Sequence, residues 1–152
     1  MFQRFQTVLL LIATILTGIL SFVNIACFME KSDIYIINIY GIHYFQPLNI
    51  YLQHFTALII LFAVVEASQL ATIFLYKKRM IQIAFCGINI VLLIAFIITM
   101  LYYVSIAAML LNEKFTLEVF LFLPLLSAIC NIWAIIRIWK DEKLVKSLDR
   151  IR

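Results

Sequence analysis

LFAVVEASQLATIFLYKKR, residues 61–79, carries an apolar run into a block of three positive charges, with one carboxylate, Glu66, along the way. A helix that crosses a bilayer needs roughly 20 mostly apolar residues. With the residues just before it, this stretch supplies them. Lys and Arg in short connections mark the cytoplasmic end of a span, so Lys77, Lys78 and Arg79 give this helix a direction as well as an end.

The rest of the chain has the same character. Its 152 residues are 66% hydrophobic with a mean hydropathy of +1.09, whereas soluble domains are nearer about 45–50% apolar. Four runs are long enough to span, at residues 5–28, 52–76, 81–104 and 117–139. The third stays apolar as far as Leu111, and a helix from Ile81 to there measures about 46 Å against a ~30 Å hydrocarbon core. It must protrude, tilt or break, and Tyr102 and Tyr103 are the expected interface anchors at its exit. The first run exceeds the apolar core of about 7–15 residues found in signal peptides. Asn24 also stands where a lipoprotein signal ending at Cys27 wants an aliphatic residue, so this run reads as a retained span.

Arg4, Lys77, Lys78, Arg79, Arg137, Lys140, Lys143, Lys146, Arg150 and Arg152 fall on one side of the expected spans, and Lys31 and Lys114 on the other. That imbalance puts both termini in the cytoplasm. The expected fold is an all-α membrane protein: one integral membrane domain over residues 1–152, a four-transmembrane-helix bundle with cytoplasmic N- and C-termini. Between Glu30 and Ile50 lies the one sizeable outer loop. Ile34–Ile37, Ile39 and Tyr40 are strand-type residues, and Gly41 can turn the chain before Ile42–Phe45, which predicts a short β-hairpin. Tyr35, Tyr40, Tyr44 and Tyr51 read as an interfacial belt, with a lid or docking surface as the alternative. His43 and His54 are single histidines with structural or solvent-facing roles.

Lipid gives helices no hydrophobic reason to associate, so bundles rely on small residues for close approach and polar ones for hydrogen bonds. Thr7, Thr14, Thr17, Gly18, Ser21 and Asn24 form such a stripe on the first span. Ala63, Ala67 and Ala71 do so on the second, with Glu66 and Gln69 near that side. The third has Cys86 and Asn89, and the fourth Pro124, Ser127, Asn131 and Ala134. Counted from the cytoplasmic ends, Gln69, Asn89 and Asn131 lie about 10–12 Å deep and Glu66 about 15 Å. Thr14 falls at a similar level. These five side chains predict one intramembrane polar layer. With no cation at that depth, Glu66 is expected to be uncharged and to donate a hydrogen bond to Gln69, Asn89 or Asn131. It serves either as glue between helices or as a proton or solute site.

The segment from Lys140 to Arg152 sets Leu144, Leu148 and Ile151 at i, i+4, i+7 among Lys143, Lys146 and Arg150. It is expected to form a cytoplasmic amphipathic helix that continues the fourth span. It either lies on lipid headgroups or docks a membrane or cytosolic protein. Gln3, Arg4, Gln6, Lys77, Lys78, Arg79, Lys143, Lys146, Asp149 and Arg150 are the candidate contacts at this end. Three cysteines without C-x-x-C spacing give neither a redox pair nor a zinc set. No cofactor and no metal site is expected. The charge lies beside apolar runs, which points to the lipid bilayer and not to nucleic acid.

MFQRFQTVLLL at the start, FLYKKRMIQIAFC in the middle and KDEKLVKSLDRIR at the end resemble a four-helix membrane family found in Bacteroidota, domain of unknown function 4293. Its members similarly open with Gln-Arg-x-Gln, here Gln3, Arg4 and Gln6. They close with Asp-Glu-x-Leu-Val-x-Ser-x-Asp-Arg, here Asp141, Glu142, Leu144, Val145, Ser147, Asp149 and Arg150. The resemblance implies a bacterial inner-membrane location and brings no activity with it.

Three functions follow for weighing. The first is a non-enzymatic accessory, scaffold or assembly subunit, and the second a small oligomeric transporter or proton-linked carrier using Glu66. The third, an intramembrane enzyme, lacks a nucleophile–base pair, a metal cluster or a phosphate loop.

Overall fold

The computed structural model describes residues 3–30, 33–44, 50–111, 115–117 and 119–149. The outer-loop cations Lys31 and Lys114 lie outside these residues, as do Arg150 and Arg152. Four α-helices dominate the described chain: α1 (Gln3–Gly18), α2 (Thr56–Phe74), α3 (Arg79–Leu111) and α4 (Leu123–Asp149). Each packs on its two neighbours in the cyclic order α1–α2–α3–α4–α1, an antiparallel square.

The segments between α1 and α2 and between α3 and α4 meet at one end of that square. There β1 (Ala26–Glu30), β2 (Asp33–Asn38), β3 (Gly41–Tyr44), β4 (Ile50–His54) and β5 (Phe115–Leu117) form an antiparallel sheet in the order β4-β3-β2-β1-β5. The expected hairpin is its β2–β3 pair. Asn38 accepts from the backbone N–H of Tyr40 (3.0 Å) and of Gly41 (3.1 Å), an Asx turn. Gly41 leaves that turn at φ 154°, a conformation that favours glycine. His43 lies 3.2 Å from the Asn38 amide. Tyr35 is half-buried and Tyr40 exposed.

The sheet corrects the expected limits of the helices. The first was expected to run to residue 28. Instead α1 ends at Gly18, followed by one 3-10 turn over Ile19–Ser21, where the Ser21 hydroxyl bonds the Gly18 carbonyl at 2.7 Å. Residues 26–28 join β2 on one side and β5 on the other, Cys27 standing opposite Ile36 and Thr116. An apolar stretch suits a helix or a strand equally, and here a waiting hairpin edge decides it. The same pairing claims residues 52–54 for β4 and residue 117 for β5, so the second and fourth helices begin later than 52 and 117.

In contrast, α3 exceeds the expected 81–104 at both ends and stays unbroken to Leu111. Tyr103 does not end it. Its ring stacks on Phe55 at 4.2 Å, and Val104 and Ala107 are buried in the same cluster as Ile25, Ala26 and Ile37. The sheet thus covers one face of the excess length, and the helix continues along it.

Among the described residues, three helical stretches, Thr56–Phe74, Arg79–Met109 and Val119–Leu144, are long and apolar enough to cross a membrane, and only 22–33% of an 18-residue apolar window in each is buried within the fold. The outward faces carry the exposed side chains of Ile60, Val64, Val91, Ile94, Ile98, Leu125, Ile129 and Ile132, a belt suited to lipid. Gln6–Ser21 is a shorter apolar helix. Its 3-10 turn included, it rises about 25 Å.

Candidate functional site

Midway along the square, the helices exchange hydrogen bonds through two connected groups of side chains. Between α2 and α3, the Ser68 hydroxyl donates to Asn89 Oδ1 at 2.5 Å, and Asn89 Nδ2 donates to the Thr72 hydroxyl at 2.9 Å. Thr72 donates in turn to the Ser68 carbonyl (2.7 Å), while Gln82 Nε2 reaches the Thr72 carbonyl (3.3 Å). The geometry follows from spacing. Ser68 and Thr72 are i, i+4, and Gln82, Cys86 and Asn89 are i, i+4, i+7, so each set lines one helical face.

The second group bridges the diagonal. Gln69 Nε2 on α2 donates to the Ser127 hydroxyl on α4 (3.3 Å), which donates to the Ala13 carbonyl on α1 (3.0 Å). Ala13 also accepts from Thr17 at 3.2 Å. Its small side chain lets α4 come that close. Asn131 Nδ2 bonds the Ser127 carbonyl one turn back at 2.9 Å. Gln69, Thr72, Gln82, Asn89, Ser127 and Asn131 are all buried.

Glu66 is half-buried, close to the Thr17 side chain. Glu66 Oε1, Gln69 Oε1 and Asn131 Oδ1 are buried and accept no hydrogen bond. Of the five polar-layer residues read from the sequence, the structure joins Gln69 and Asn131 through Ser127. Asn89 goes to the α2–α3 group. Thr14 turns to its own helix and bonds the Leu10 carbonyl at 2.9 Å. The expected alanine stripe is not the packing face of α2. Ala63 and Ala67 are exposed, and the buried face is Leu58, Val65, Gln69 and Thr72. Side chains that need hydrogen-bond partners set the rotation of this helix. Ser68, Thr72 and Gln82 were missed, although their spacing was there to be read.

At the end opposite the sheet, the two terminal sequence motifs meet. Gln6 Nε2 donates to Asp141 Oδ2, joining α1 to α4, and Gln6 is buried. Arg79, at the start of α3, pairs with Glu142 at 3.9 Å. Lys143 Nζ sits 4.4 Å above the Trp139 ring. Gln6 and Arg79 therefore serve contacts within the fold. Lys78 is exposed. The side chains of Gln3, Arg4, Lys77, Lys146 and Asp149 lie outside the described residues, as does all of Arg150. The expected C-terminal helix continues α4 without a break to Asp149. Cys27, Cys86 and Cys130 form no disulfide. Among the described residues, no group of three His, Cys, Asp or Glu is gathered to hold a metal.

A square of antiparallel helices with apolar outer faces and hydrogen bonds concentrated inside defines a helical-bundle protein of a kind compatible with a membrane. The chain matches the model of the family described as Domain of unknown function (DUF4293) over residues 2–151, and it belongs to that family. A comparison with curated proteins found no match.

Proposed function

We propose that the chain is a multi-pass protein of a bacterial inner membrane with both termini cytoplasmic, and that it works as a non-enzymatic scaffold or assembly subunit. One observation carries the second half of this reading. α4 runs unbroken to Asp149 and is tied near its base to α1 through Gln6–Asp141 and to α3 through Arg79–Glu142. Such a helix projects as a braced arm, which suits docking. Much of the polar interior meanwhile bonds to itself, as glue does. Ending the chain after Leu144 keeps both ties and removes the arm's tip. Affinity purification from native membranes is expected to lose a co-purifying protein in that variant; identical co-purification from both forms would overturn the scaffold role. The charge asymmetry supports the orientation. A phosphatase active only in the periplasm, fused at Lys146, is expected to stay inactive, and activity there reverses the topology.

A second reading, a small oligomeric carrier for protons or a solute, draws on the three buried acceptors Glu66 Oε1, Gln69 Oε1 and Asn131 Oδ1. Intramembrane carboxylates of this kind often mark transport paths. Proton flux into vesicles that vanishes in Glu66→Gln would favour it over the scaffold.

A further inference from the structure

Between α1 and α4, next to the Gln6–Asp141 tie, a groove with a volume of about 310 Å³ is lined by Leu9, Trp133, Ile136, Arg137 and Lys140. We propose that it binds one anionic phospholipid, with the phosphate on Arg137 and Lys140 and the upper acyl chain along Leu9, Ile136 and Trp133. The inference rests on the membrane reading above.

Helical spacing orders the lining. Trp133 and Arg137 form one i, i+4 row and Ile136 and Lys140 another, so each row has an apolar side chain toward the bundle centre and a cation one turn nearer the terminus. A phospholipid has that polarity along its length. The groove is at the small end of ligand pockets, about 300–1,000 Å³, which suits a headgroup and the top of one chain. Trp139, beside Lys140, is exposed, and a tryptophan on an outer face favours the headgroup level. That puts Arg137 and Lys140 at phosphate depth.

Of the carboxylates next along the helix, Glu142 is engaged by Arg79 and Asp141 is turned to Gln6 on α1. Basic pockets between spanning helices on the cytoplasmic side are suited to anionic lipid headgroups. Gln6–Asp141 holds α1 and α4 together at the groove's end, so the two walls are fixed before a lipid arrives.

The test uses the full chain purified in mild detergent and native mass spectrometry with added phosphatidylglycerol or phosphatidylcholine. One phosphatidylglycerol is expected to be retained in preference to phosphatidylcholine, and Arg137→Gln with Lys140→Gln is expected to weaken that retention, roughly fivefold for each charge removed. Lys31→Gln with Lys114→Gln removes the same charge from the opposite side and is expected to leave retention unchanged. Ile136→Trp fills the groove without touching the cations and is expected to reduce retention as well. Equal retention of the two lipids overturns the proposal. So does a loss as large in the Lys31/Lys114 variant, or displacement of the lipid by millimolar inorganic phosphate. Alkaline carbonate extraction separates the two levels of the argument. A chain that leaves the membrane fraction overturns the membrane reading together with the groove. A chain that stays embedded without lipid preference overturns the groove alone.

Discussion

The two ends of the helix square are held by different means. At the sheet end, sixteen buried apolar residues form one continuous cluster among the described residues, from Leu20 and Ile25 through Ile37, Phe55 and Phe96 to Leu121 and Ala128. At the terminal end the corresponding cluster has five: Leu9, Leu10, Cys86, Ala134 and Ile138. That end is held instead by Gln6–Asp141 and Arg79–Glu142, and the polar side chains of Gln69, Asn89 and Ser127 lie between the two clusters. In the membrane setting proposed above, the contrast follows from solvent. Where strands and helix ends leave the hydrocarbon, burying Ile or Phe removes it from water and the hydrophobic effect contributes. Deeper in, lipid is as apolar as leucine, so close packing and hydrogen bonds must hold helices together.

Substitutions in the two zones should therefore separate in size. Phe55→Ala empties a site that is 1% exposed, where the ring stacks on Tyr103 at 4.2 Å. It is expected to lose the most, about 3–5 kcal/mol by the usual cost of a buried aromatic, read as thermal unfolding in mild detergent. An effect under that of a polar-layer variant would break the comparison. Asn89→Leu removes the bonds to Ser68 and Thr72 and is expected to cost about 1–2 kcal/mol in the same assay. A loss as large as that of Phe55→Ala would mean that hydrogen bonds dominate throughout. Glu66→Gln keeps the shape and is expected to shift stability least, under about 1 kcal/mol. A larger destabilisation would make the carboxyl a structural group, whereas unchanged stability with lost proton flux would turn the layer into a transport path.

Much of this arrangement could be read from residue order. Hydropathy located the helices, and Ile34–Tyr40 with Gly41 located the central hairpin. Helix ends were harder for a physical reason. Ala26, Cys27 and Phe28 are as apolar as the run before them, and their strand state depends on partners at 35–37 and 115–117 that local pattern does not reveal. Polar layer members were visible as residue types. Their pairing was not, because it depends on helix rotation. Asn89 could have faced Glu66, and only the packing that buries Thr72 and Gln69 turns it toward Ser68. On α4, Ser127, Asn131 and Ala134 share a buried face as their spacing indicates. On α2 the alanine stripe misled, since small residues permit close approach without requiring it.

The pairing of β1 with β5 also has a meaning in time. β1 is made early and lies beside β2 at once, yet its other edge is completed only by β5, which is synthesised after all of α3. α1 likewise finds its Asp141 partner only when α4 exists. Contacts this distant in sequence carry a chain-closure cost before they stabilise anything. Both the sheet and the helix square stay open through most of synthesis and close together on the last quarter of the chain.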